Sequence, residues 1–244
     1  IISEGEKKPK KYFKNNVIGT KKLLSACQNT LIKNFIFSST AAVYKDGQYK
    51  VNENSIIKPQ SVYGKTKIQG EKLIQSFCKK NKINYGILRY FNIAGSSPSG
   101  KIGLLNKSDN LFKNYSKQIM KKKPTLKIYG GDYNTKDGSC IRDFIHVSDI
   151  AEIHYKVLNQ IDKTKKSKVL NCGYNKGNSV LDVAKEFKRQ SSKKVKILII
   201  KRRKGDLVKI IASNKKLIKF IKWRPKYNKL SKIVQSCLNW EKRQ

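Results

Sequence analysis

The stretch from Asn34 to Lys67 constrains the fold more than any other. Phe35-Ile36-Phe37 is a short apolar run of the kind that forms a buried parallel strand, and Ser38-Ser39-Thr40 follows at its carboxyl end. Open α/β sheets place ligands at that end of their strands. After a polar loop to Lys58-Pro59-Gln60, Ser61-Val62-Tyr63-Gly64-Lys65-Thr66-Lys67 opens a helix. Tyr63 and Lys67 are four residues apart and share one helix face, roughly 6 Å apart at Cβ. A hydroxyl, a phenol and an ammonium can therefore converge on one pocket. A free tyrosine has a pKa of about 10. A cation about 4 Å away, at an effective dielectric of about 20, is worth about 4 kcal/mol, or roughly three pKa units. The expectation is that Lys67 brings Tyr63 into the range of general acid–base catalysis. With 12 tyrosines and 55 Lys and Arg residues the pair alone says little. Its position after a strand ending in Ser-Ser-Thr gives it weight.

These residues belong to eight blocks that, in fixed order, resemble the extended short-chain dehydrogenase/reductase family, and within it the UDP-galactose (UDP-glucose) 4-epimerases. The blocks are Asn15 to Thr20, Phe37 to Tyr44, Pro59 to Lys67, Leu88 to Asn92, Tyr129 to Gly138, Ile141 to Val147, Gly177 to Val183 and Arg202 to Asp206. The resemblance implies a doubly wound parallel sheet, Rossmann-like and incomplete at its N-terminus, with a smaller C-terminal substrate-binding lobe. It places the NAD-binding part at 1–94 and the sugar-nucleotide lobe at 95–244, with about 140–175 returning to the Rossmann sheet. A shift to Gly, Ser, Pro and Lys from Gly95 marks the same boundary.

The activity implied is NAD-dependent 4-epimerisation of a UDP-hexose through a 4-keto intermediate. Tyr63 would be the base, Thr40 would bond the 4-hydroxyl and relay its proton, and Lys67 would depress the Tyr63 pKa and hold the nicotinamide ribose. Asn15, Ser38 and Phe91 join Thr40, Tyr63 and Lys67 as cofactor contacts. Asn92, Asn110, Leu111, Tyr129, Arg142, Arg203 and Asp206 are the implied contacts to the sugar nucleotide. The planar donor fork of a guanidinium suits Arg142 to a diphosphate. Ile210 falls at the family's sugar-pocket gatekeeper and leaves both plain and N-acetylated hexoses open. Related dehydratases and decarboxylases carry acidic residues after the Ser/Thr; Ala41-Ala42 stands there, which favours epimerisation. A basic binding module without turnover is the non-enzymatic alternative.

No glycines are arranged as Gly-x-x-Gly-x-x-Gly or Gly-x-Gly-x-x-Gly, and no methionine opens the chain. Relatives begin with a strand, that glycine turn and a helix, where the pyrophosphate of NAD is held. The resemblance therefore implies that the first nucleotide-binding half is missing from these 244 residues.

The formal net charge of +39 is nearly all lysine and spread over every segment, with abundant Asn and Ile, as an A+T-rich coding sequence would produce. No specific nucleic-acid partner is expected from it, only salt-sensitive adhesion to polyanions. No apolar run approaches a membrane span, and no signal-peptide pattern follows Ile1-Ile2. Five scattered cysteines lack Cys-x-x-Cys spacing and, with His146 and His154, make no metal site; they read as free thiols of a reducing compartment. The expected setting is the cytoplasm, as a homodimer. Periodicity predicts helices over about 12–31, 61–82, 110–122 and 148–158, with strands at 85–91, 126–129, 169–173 and 195–200. Residues 3–11 read as a loop.

Overall fold

The computed structural model describes residues 2–105, 110–203 and 205–244. Ile1 and Lys204, the middle of the Arg202–Asp206 block, lie outside them. The chain divides into two compact units, one of Ile1–Tyr90, Glu152–Cys172 and Ser213–Arg224, the other of Phe91–Ala151, Gly173–Ala212 and Pro225–Gln244.

The first unit opens with α1 (Ile2–Lys7) and α2 (Pro9–Phe13) where a loop was expected. Tertiary contacts override the polar composition. Glu4 pairs with Lys11 at 2.8 Å, and Glu6 accepts from the Val62 backbone N–H at 2.8 Å, while Pro9 sets the φ of the first turn of α2. A π-helical turn (Lys14–Ile18) leads to α3 (Gly19–Ala26), then β1 (Asn34–Thr40), a 3₁₀ turn (Ala41–Val43), β2 (Lys50–Val51), α4 (Val62–Lys80) and β3 (Asn84–Tyr90).

The second unit supplies β4 (Asn92–Ala94), α5 (Leu111–Met120), β5 (Thr125–Tyr129), β6 (Ile141–Arg142) and β7 (Phe144–His146). After it come α6 (Val147–Thr164), whose residues from Glu152 belong to the first unit, and β8 (Lys168–Cys172). The chain ends through β9 (Asn178–Ser179), α7 (Val180–Arg189), β10 (Lys196–Ile200), β11 (Lys209–Ala212), α8 (Lys215–Ile221) and α9 (Leu230–Glu241).

In the first unit β1, β3 and β8 form a parallel sheet in that order, with Thr40 beside Tyr90 and Tyr90 beside Cys172. Alternation along β1 sends Phe35 and Phe37 to one face, against Leu24, Ile74 and Cys78 of α3 and α4. The other face receives α6: a Cβ on Gly86 would lie 2.7 Å from Ile36, 2.9 Å from Ile161 and 3.0 Å from Val157. Helices on both faces of a parallel sheet are the doubly wound, Rossmann-like arrangement. By contact, 140–151 lies in the second unit and 213–224 in the first. Val51 accepts from the Ser213 N–H at 2.7 Å, and Leu217, Ile221 and Trp223 are buried there.

In the second unit β5 pairs with β10, β4 with β7, and β11, β6 and β9 lie side by side. Phe112, Tyr115, Phe144, Phe187, Leu126 and Ile233 form one core, with Phe112 and Phe144 edge to face at 5.1 Å. Ser179 and Asp182 make a capping box that starts α7. Two fully buried carboxylates fasten the loops. Asp143 accepts from the backbone N–H groups of Tyr174, Asn175 and Ala212 at 2.8, 3.0 and 3.2 Å. Asp149 accepts from the Tyr174 hydroxyl and from the N–H groups of Lys226 and Tyr227 at 3.2 and 3.0 Å.

His146, wholly buried, stacks on Tyr227 with centroids 4.4 Å apart. Its Nδ1 accepts from the Ser148 N–H at 3.1 Å, so the neutral ring carries its proton at Nε2 and donates to Ser236 Oγ, also at 3.1 Å. Burial pushes its pKa down to about 4, against the nearby Asp149. A folded pKa below the unfolded value means that the unfolded chain holds the proton more tightly. The stabilisation, about 3 kcal/mol, is complete above about pH 6.5 and lost as pH falls towards about 4. The stability difference between the wild type and His146→Asn, followed by urea unfolding, should shrink across that window; a constant difference would refute the assignment.

Candidate functional site

The carboxyl end of β1 and the start of α4 carry the first cluster. Ser61 caps α4, its Oγ accepting from the Gly64 N–H at 3.1 Å. Thr40 caps the 3₁₀ turn, accepting from the Ala42 N–H at 3.2 Å. Between them the backbones nearly touch: a Cβ on Gly64 would lie 2.3 Å from the Ala42 carbonyl oxygen and 2.9 Å from Pro59 Cβ. That close approach brings Tyr63 beside Thr40, whose hydroxyl acts on the phenol.

The electrostatics differ from the sequence expectation. Burial holds the Tyr63 phenol above its usual pKa, with the Thr40 hydrogen bond working the other way. Lys67 is not the charge that acts on it. The Lys67 ammonium lies 4.6 Å from the Phe37 ring centroid, a cation–π contact, and burial lowers its pKa against the attraction of Glu71. The expected three-unit depression of Tyr63 is therefore absent from the described residues.

Beneath this cluster runs a buried polar network that sequence reasoning missed. Arg89 of β3 grips Glu71 of α4 with two bonds, Nε to Oε1 at 3.0 Å and Nη2 to Oε2 at 2.7 Å. Ser39 donates to Glu71 Oε1 at 2.5 Å, and Arg89 Nη1 donates to Tyr44 Oη at 3.0 Å. Tyr44 donates to Asn171 Oδ1 at 2.6 Å, and Glu53 accepts the Asn171 N–H at 2.8 Å. An arginine inside the apolar run from Tyr85 to Phe91 was the available signal, because a buried guanidinium requires a carboxylate.

Asn15 is exposed on the π-helical turn. Its neighbour Asn16 instead reaches α4, donating to Thr66 Oγ1 at 2.9 Å. Ser38 is exposed at the strand end, 2.6 Å from the Tyr90 hydroxyl, which lies 2.5 Å from His154 Nε2.

The remaining predicted residues belong to the second unit. Arg203 stacks on Tyr129, its guanidinium carbon 3.5 Å from the ring centroid. Arg142 and Asp206 approach to 4.0 Å, and Arg142 registers with Ile210, which is 6% exposed. Tyr129, Arg142, Arg203 and Asp206 thus occupy two pairs, linked by the Asp206 N–H bound to the Arg203 carbonyl at 3.5 Å. Asn110 caps α5, accepting from the Lys113 N–H at 3.1 Å, and Leu111 packs on the core. Phe91 is buried; Asn92 is exposed, its N–H bound to the Asp143 carbonyl at 3.0 Å. Two cations, an acid and an aromatic ring can bind an anionic nucleotide. The hydroxyl–phenol pair of the first unit can move a proton.

Residues 2–173 match the NAD dependent epimerase/dehydratase family. The UDP-glucose 4-epimerase of Azospirillum brasilense is 35% identical over 99% of this chain and 70% of its own length. The crystal structure of UDP-glucose-4-epimerase from Stenotrophomonas maltophila with bound NAD and formylated UDP-arabinopyranose superposes with a TM-score of 0.94 at 29% identity, covering 100% of this chain and 73% of that one. The UDP-Glc/GlcNAc 4-epimerase of Campylobacter jejuni has a TM-score of 0.83 at 36% identity, covering 100% and 75%.

Replacing Glu71 by Gln should cost about 3–5 kcal/mol, because it leaves the Arg89 charge buried and unpaired. Adding Arg89→Met should recover part of that loss in urea unfolding. An E71Q protein as stable as the wild type would show that the pair is not what binds α4 to the sheet.

Proposed function

This chain belongs to the NAD dependent epimerase/dehydratase family, and from that premise we propose that it interconverts the C4 epimers of a UDP-hexose, UDP-glucose and UDP-galactose, with NAD. The observation that supports the proposal is the placement of Tyr63, in the first turn of α4, beside Thr40 at the carboxyl end of a parallel strand. The donor set there fits the nicotinamide riboside end of NAD: a phenol, an ammonium and the hydroxyls of Ser38 and Thr40 can satisfy a ribose diol. NAD, when bound, would accept hydride from the sugar C4 and return it.

Tyr63 takes the proton of the 4-hydroxyl and gives it back, and Thr40 holds the hydroxyl and passes that proton. Burial favours the protonated phenol, so Tyr63 is suited to the acid half of the cycle, while its bond from Thr40 favours the phenolate needed for the base half. Lys67, on the same helix face, would hold the cofactor ribose. Ser38 would contact the cofactor, with Asn15 and Phe91 at its edges. Ala41 and Ala42 form an apolar 3₁₀ turn after Thr40, leaving no acid or base there for elimination or decarboxylation.

Tyr129 and Arg203 would hold the uracil and the diphosphate, Arg142 the diphosphate, and Asp206 the ribose. Asn92, Asn110 and Leu111 complete the nucleotide contacts. Ile210 is of intermediate bulk, so the sugar site would admit N-acetylhexosamines as well. On the same reading the protein works in the cytoplasm as a homodimer. All five cysteines are free and buried, in keeping with a reducing compartment, and no helix among the described residues is long and apolar enough to cross a membrane.

With NAD supplied, the chain should convert UDP-galactose to UDP-glucose, measured by coupled assay. Tyr63→Phe should lower kcat by about 10²–10⁴-fold with KM little changed, as expected for loss of a positioned acid–base group. An undiminished kcat in Y63F would refute its role. Comparing turnover of UDP-galactose with that of its N-acetyl analogue tests Ile210: a strong preference for the plain sugar would exclude the wider specificity.

A further inference from the structure

Three groups at the end of β1 are left over by this mechanism. Ser38, Tyr90 and His154 form a continuous line, with Ser38 Oγ 2.6 Å from Tyr90 Oη and Tyr90 Oη 2.5 Å from His154 Nε2. The Tyr90 and His154 rings also pack together, with centroids 5.6 Å apart. Tyr90 stands beside Thr40 in the strand register, and Ser38 and Thr40 point to the same face of β1. The line therefore starts on α6 and ends at the exposed hydroxyl beside Thr40.

Each hydroxyl has a single proton, so the direction of one bond fixes the direction of the next. When His154 Nε2 carries a lone pair, Tyr90 donates to it and must accept from Ser38. The Ser38 proton is then used internally, and its oxygen faces outward as an acceptor. When the ring is doubly protonated, Nε2–H donates to Tyr90, and Tyr90 donates to Ser38. The Ser38 proton is then released to point outward. One proton enters the imidazole and both hydroxyls rotate.

We propose that Tyr90 and His154 are positioning residues that set the hydrogen-bonding polarity of Ser38, presenting an acceptor when His154 is neutral and a donor when it is charged. The consequence for the cofactor rests on the reading of Ser38 as a cofactor contact. Burial pushes the Tyr90 phenol up to about 12, with the Ser38 bond opposing, so Tyr90 stays protonated and relays by rotation. The titratable groups facing Tyr90 from the neighbouring elements are Tyr63 of α4 and Cys172 of β8.

With two histidines in the chain, ring-nitrogen NMR of the labelled protein is simple to assign using His154→Asn. The neutral His154 ring should be protonated at Nδ1, and the Tyr90 Cζ signal should move with the same midpoint as the His154 nitrogens. In H154N the Tyr90 signal should stay still across the same pH range. By calorimetry, the NAD affinity of the wild type should change several-fold across the midpoint, and that ratio should fall to near one in Tyr90→Phe, which keeps the ring packing. A neutral His154 protonated at Nε2, a Tyr90 signal that ignores the midpoint, or one that still moves in H154N under Tyr63 or Cys172 would overturn the proposal. Absence of NAD binding at every pH would count against the functional reading instead, with the ring-nitrogen result alone deciding the polarity reversal.

Discussion

The ion pair between Glu71 and Arg89 is the interaction on which the first unit depends. Both side chains are almost completely buried, 2% and 4% exposed. Taking two such charges out of water costs several kcal/mol each, and only full satisfaction of their donors and acceptors offsets it. That requirement dictates the neighbourhood. Ser39 must supply a hydroxyl, Tyr44 a phenol oxygen, and Asn171 an amide behind it. Each of these comes from a different part of the sheet, so satisfying one guanidinium aligns β1, β3, β8 and α4. Thr40 is next to Ser39, and Lys67 lies one helical turn before Glu71. The cluster of Thr40, Tyr63 and Lys67 is thus built directly on the network that fixes the sheet.

The second unit uses carboxylates in a similar way but to bind loops. Asp143 and Asp149 share Tyr174, one through its backbone and one through its hydroxyl, and so tie the strand β7, the start of α6 and the segments around 175 and 226. Glu241 is spent on Lys113 at 2.7 Å in a further buried pair. A chain with 55 basic and 16 acidic residues places several of its few acids where no lysine could substitute. The lysine excess is therefore a property of the surface, and the interior follows ordinary rules of charge pairing.

Much of this was legible in the sequence. Periodicity located the long helices and the buried strands, because apolar spacing records which face meets the core; α4 and β3 fall within two residues of their expected bounds. The Ser-Ser-Thr strand end and the Tyr-x-x-x-Lys helix pointed to one site, and Tyr63 and Thr40 do meet. The two-residue strands β2, β6 and β9 carried no period long enough to read. The opening helices were missed because tertiary contacts, not propensity, stabilise them. The state of Tyr63 was misjudged for a related reason: helix spacing puts Lys67 on the right face but says nothing of the Phe37 ring that holds its ammonium. Burial, which depends on the whole fold, then decides the direction of the shift.

The contact between Gly64 and the Ala42 carbonyl has a consequence for how such a protein can vary. Main chain resting on main chain acts as a joint of fixed length, and no side chain on either segment enters into it. Substitution can exchange residues all around the joint without changing the reach from phenol to hydroxyl. At Gly64 itself even a methyl group is too large.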